Sequence, residues 1–145
     1  MLGLYADWSV TYGVSGPAFD GDFDGVGALV EFGLGMNPAS GLGGDGAAGV
    51  PAPAMNAGHV QLSFLAPTSA AATQLHGMPE PTCTVLASSD LATWSSIATK
   101  TFATAWSGAA TVSTGTPSGG FTPVTVEDAA TGGPRFLRLQ VTWTP

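Results

Sequence analysis

Between residues 20 and 31 the chain places Asp20, Asp22, Asp24, Gly25 and Glu31 at the first, third, fifth, sixth and twelfth positions of a helix-flanked acidic loop. Hard cations take six to eight oxygen ligands. This spacing converges three short carboxylates and one longer carboxylate able to bind through both oxygens, and a glycine at the sixth position permits the sharp turn. Val26, at the seventh position, supplies a backbone carbonyl. The candidate ligands for one Ca2+ are therefore Asp20, Asp22, Asp24, Val26 and Glu31. A solvated acidic turn seldom combines three alternating aspartates with a glycine and a glutamate at these offsets. No second loop is visible to pair with it, so a structural ion is expected rather than a sensor.

The stretches around the loop read as helices. Leu4, Tyr5, Trp8, Val10 and Tyr12 recur at near-helical intervals before Gly13, and a second helix is predicted over about Val26 to Leu34, with Gly35 as C-cap and Pro38 as stop. From Ala39 to Gly58 glycine, alanine and proline dominate without periodicity, which predicts a linker. Beyond Gly58 the period becomes two: Val60, Leu62 and Phe64; Cys83, Val85 and Ala87; Leu137, Leu139, Val141 and Trp143. Further strands are expected over Trp94 to Ala98, Thr101 to Trp106, Ala110 to Ser113 and Val124 to Glu127, with a turn at Pro117-Ser118-Gly119-Gly120. The expected fold is mostly β: a small immunoglobulin- or fibronectin III-like β-sandwich over residues 59–145, preceded by an EF-hand-like helix-loop-helix over 1–38 and a linker over 39–58.

Composition narrows the function. Charged residues make up 9% of the 145, against roughly a quarter in ordinary soluble domains, so the surface is built from Ser, Thr, Gly and small apolar groups. That tilts the reading toward secreted, wall or fibre proteins. The net charge of −7 excludes electrostatic binding of nucleic acid, which needs a basic footprint; Lys100, Arg135 and Arg138 are the whole basic complement. No apolar run is long enough for a membrane span. Met1 is followed by no basic or apolar leader, so an exported chain is expected to be a mature or excised segment, or to leave the cell by another route. Cys83 has no cysteine to pair with and reads as a small buried hydrophobe. No nucleophile, base and orienting group form a recognisable set, and Glu80, Asp90, Glu127 and Asp128 are scattered, which argues against an enzyme. His59 and His76 read as surface or strand-edge residues. Trp94, Trp106 and Trp143 fill core positions or form a sugar-stacking platform, and Trp106 is the candidate for the second use.

Several segments together resemble a known family: the C-terminal modules of large secreted and surface-attached bacterial proteins, autotransporter-like or C-terminally sorted. Trp8 and the run Leu29-Val30-Glu31-Phe32-Gly33-Leu34-Gly35-Met36-Asn37-Pro38 are similar to that family's Trp-containing helix and the motif closing its acid loop. Ser88-Ser89-Asp90-Leu91-Ala92-Thr93-Trp94 and Arg135-Phe136-Leu137-Arg138-Leu139 resemble its mid-sandwich and terminal-strand motifs. The acid loop is also similar to dockerin and thrombospondin type 3 calcium loops, which implies that Asp20, Asp22, Asp24 and Glu31 are ligands. Phe23 stands where a glycine is frequent, and Ala28 where the family usually has asparagine. The affinity implied is weak, roughly 10⁻⁴ to 10⁻³ M. The expectation is thus a non-catalytic structural module, extracellular or at the cell surface, associating with itself or with neighbouring domains; the alternative is carbohydrate binding.

Overall fold

The computed structural model describes residues 4–23, 25–39, 51–68, 70–71, 81–102 and 104–143. Where the sequence alternates, the backbone is extended. Among the described residues seven strands form: β1 Ala52–Asn56, β2 His59–Pro67, β3 Thr82–Ser88, β4 Ser95–Thr101, β5 Thr111–Thr114, β6 Phe121–Glu127 and β7 Phe136–Thr142. They make two antiparallel sheets, one of four strands ordered β1-β2-β6-β5 and one of three ordered β4-β3-β7. The arrangement is sandwich-like and mostly β, and it includes two short helices, α1 Leu4–Tyr12 and α2 Ala28–Leu34.

Leu62, Phe64 and Ala66 of β2, Cys83, Val85 and Ala87 of β3, and Val124 and Val126 of β6 turn inward and are buried, as period-two alternation requires. Their neighbours form polar ladders: Ser63 with Thr125 at 3.0 Å and Thr84 with Thr99 at 3.0 Å. This is how a chain so poor in charge covers its sheets. A register shift between Val85 and Leu86, where β3 meets β4, breaks the alternation and lets Leu86 be buried beside its neighbour.

Three expectations need correction. The second half of the stretch read as a linker, residues 39–58, is strand β1, paired with β2 from Ala52↔Ser63 to Asn56↔His59; residues 40–50 lie outside the described residues. Its five residues are all exposed, so it carries no buried alternation to mark it. The strand expected over Thr101 to Trp106 does not form. β4 ends at Thr101 and the chain turns at Phe102, which is fully buried, before Ser107 bridges back to Thr99. The second helix starts at Ala28 rather than Val26, because Gly27 is extended and serves as its N-cap.

The helical segment is not a separate layer. Val26, Leu34 and Met36 belong to the same buried cluster as the sheet residues, and Phe32 is fully buried. Gly33 lets α2 approach β7 closely: a Cβ there would meet Val141 Cγ1 at 2.9 Å. Helix α1 docks through Tyr5 and Trp8, whose rings lie 5.2 and 5.5 Å from that of Phe32, with Tyr5 also 5.7 Å from Trp143. Val10 is 82% exposed and takes no part in this packing. The segment 13–19 separates the end of α1 from Asp20, so the first helix does not run directly into the acidic loop.

Candidate metal centre

The acidic loop is held at both ends by backbone bonds. Ala28 N donates to Phe19 O at 2.8 Å and Leu29 N to Pro17 O at 2.9 Å, tying the entry of the loop to the first turn of α2. Inside the loop Gly25 N donates to Asp20 Oδ2 at 3.1 Å, so the first-position carboxylate closes over the sixth-position amide. Gly25 has φ +89°, a conformation costly for a residue with a Cβ, which is why glycine stands there. Phe23, with φ +61° and 89% exposed, holds the left-handed region without that freedom. Such local strain persists where the surroundings hold it.

Of the five candidate ligands, four lie among the described residues; Asp24 lies outside them. Asp20 and Asp22 are half-buried, and the Oδ2 of Asp22 is shielded from solvent. Val26 is buried at the loop's exit. Glu31 is fully buried, both carboxylate oxygens included, and it projects from a helix whose residues Phe32 and Leu34 are also buried. Among the described residues no group of three or more His, Cys, Asp or Glu side chains is gathered closely enough to hold a metal ion. The closure of Asp20 over Gly25 and the burial of Glu31 are compatible with an oxygen-rich cation site. The gathering of its carboxylates is not displayed.

Family models, curated proteins and solved structures give no match to this chain.

The remaining chemistry-bearing side chains serve the sandwich. Burial pushes the Cys83 thiol up to about 12, with Lys100 opposing only part of the shift, which leaves the thiol inert. His59 donates through Nδ1 to the Asp128 carbonyl at 2.8 Å. Burial raises the Asp128 carboxyl, but the Arg135 guanidinium and the Ala130 amide outweigh it and hold the group below the usual range. Asp90 accepts from the Thr93 and Ala92 amides at 2.7 and 2.9 Å and from the Ser88 hydroxyl at 2.9 Å, which together lower it to about 2. The two motifs of the sandwich meet here: Arg138 lies over the Trp94 ring at 4.3 Å from its centroid, and Trp94 Nε1 donates to Leu91 O. Trp106 packs edge-on against Phe64 at 6.0 Å, with the Lys100 ammonium 5.8 Å from its ring centroid. His76 and Glu80 lie outside the described residues. The carbonyls of Pro17 and Phe19, which anchor the loop, have no signal in side-chain spacing.

Proposed function

We propose that this chain is a non-catalytic structural module in which one Ca2+ ion, held by Asp20, Asp22, Asp24, Glu31 and the Val26 carbonyl, fastens the helical segment to a β-sandwich. The observation that carries the reading is the burial of Glu31. A carboxylate removed from water favours a cation in contact, since desolvation costs several kcal/mol per ion. Bound Ca2+ would also bring the net charge from −7 to about −5 and relieve repulsion among the loop carboxylates.

The finer fold assignments belong to this reading. The order β1-β2-β6-β5, read as strands A, B, E and D, supports an immunoglobulin-like sandwich with β4-β3-β7 as the opposite sheet. The helix-loop-helix is EF-hand-like in its acid spacing and in the position of Gly25, with a longer entry from α1. The low charge, the weak affinity implied by the loop and the resemblance to secreted surface modules support an extracellular or cell-surface location, displayed singly or assembled into a fibre. Among the described residues no helix is long and apolar enough to cross a membrane.

Terbium titration tests the metal site. Tb3+ occupies calcium sites, and the Trp8 and Tyr5 rings pack on Phe32, next in sequence to Glu31. Sensitised luminescence that saturates and is displaced by Ca2+ supports the reading; no saturable signal rejects it. Negative-stain microscopy of purified chain in Ca2+ tests the fibre: monomers at every concentration exclude it.

A further inference from the structure

Strand β7 is an edge. It pairs with β3 from Ser88↔Phe136 to Thr82↔Thr142, and among the described residues no backbone group is hydrogen-bonded to its other side. In the other sheet β1 is exposed along its whole length. Two contiguous clefts of about 420 and 410 Å³ run along the free side of β7. Their walls come from Val26 and Val30 on one side and from the prolines at the start of β1 on the other, with Leu62, Leu137 and Leu139 below. Leu137 and Leu139 alternate toward the core yet stay half-buried, because nothing described caps them there.

We propose that this slot accepts a single extended segment of another polypeptide, which adds a fourth strand beside β7. The backbone decides the class of occupant: a row of unpaired donors and acceptors is satisfied by a strand and not by a helix or a small apolar molecule. The side chains decide its pattern. Alternate apolar residues meet Leu137, Leu139 and Val30. Among the described residues Arg138 is the one charged residue lining either cleft, so the segment is neutral or acidic where it passes that side chain. β7 carries no other charge to discourage pairing. The inference goes beyond the calcium module and does not rest on the ion.

The test uses the full chain in Ca2+ and a short fluorescein-labelled peptide alternating valine and threonine, with one central aspartate. Companion probes carry lysine in place of the aspartate, or proline in place of alternate valines. The aspartate probe is expected to bind saturably by anisotropy and to slow amide exchange across 137–141, while the proline probe does not bind. The lysine probe binds about threefold more weakly, the size of an exposed charge pair. Arg138→Glu reverses the order of the two charged probes, and Val30→Glu, on the cleft wall, abolishes binding of the aspartate probe. Failure of both charged probes to bind, or binding without protection of β7, overturns the proposal. So does a free monomer in which the outward amides of β7 are already protected, since its own chain then fills the slot.

Discussion

Glu31 concentrates the tension in this molecule. Its side chain is fully buried on a helix whose neighbours Phe32 and Leu34 are core residues. Glu31→Gln keeps the volume and removes the charge. It is expected to weaken terbium binding at least about tenfold, because the amide supplies no charge to the cation. Titration of the two proteins checks this, and a variant that binds terbium as well as the parent would remove Glu31 from the site. Asp90 gives a second prediction at this scale. Its folded carboxyl titrates near 2 and its unfolded one near 3.9, so its contribution is present above about pH 4 and is lost as pH falls toward 2. Asp90→Ala should be less stable than the parent at pH 5 and show a flatter acid profile between pH 4 and 2; parallel profiles would contradict this.

At the scale of elements, the contact between α2 and β7 carries the attachment of the helices. Gly33→Ala gains helix propensity worth up to about 1 kcal/mol, but its Cβ lands 2.9 Å from a Val141 methyl in a buried contact. Overpacking wins here, and a net loss of about 1–2 kcal/mol in denaturant melts is expected; a gain would show that α2 is free to shift. The strands with a buried face, β2, β3 and β6, were legible because period-two alternation reports burial directly. β1 was illegible for the same reason, since a strand exposed along its whole length has no pattern to show. The segment from Thr101 to Trp106 looked like a strand because Phe102 and Trp106 are apolar, yet Phe102 is buried in a turn rather than on a strand. Helix α1 was legible as an element, yet its apolar residues overstated its contacts: Tyr5 and Trp8 dock, while Val10 faces water. The loop's acid spacing was plain in the sequence. Its anchoring through the Pro17 and Phe19 carbonyls was not, because backbone acceptors leave no trace in residue type.

Across the whole molecule, helices and sheets share one core, to which the proposed ion would fasten the helical segment. At 10 mM Ca2+ and an affinity of roughly 10⁻⁴ to 10⁻³ M, binding adds about 1.4–2.7 kcal/mol to stability. For a chain of this length that corresponds to a rise in melting temperature of about 4–8 °C. A structural module with an open sheet edge also gives a physical route to assembly, in which a segment of another polypeptide extends the three-stranded sheet. The most direct measurement is amide hydrogen exchange over 17–36 in Ca2+ and in chelator, with β3 and β6 as internal reference. Strong protection of the loop ends and α2 that drops on chelation, with β3 and β6 losing no more than the roughly 1.4–2.7 kcal/mol of binding free energy, is the predicted result; equal exchange in both conditions would contradict the claim that an ion fastens the helices.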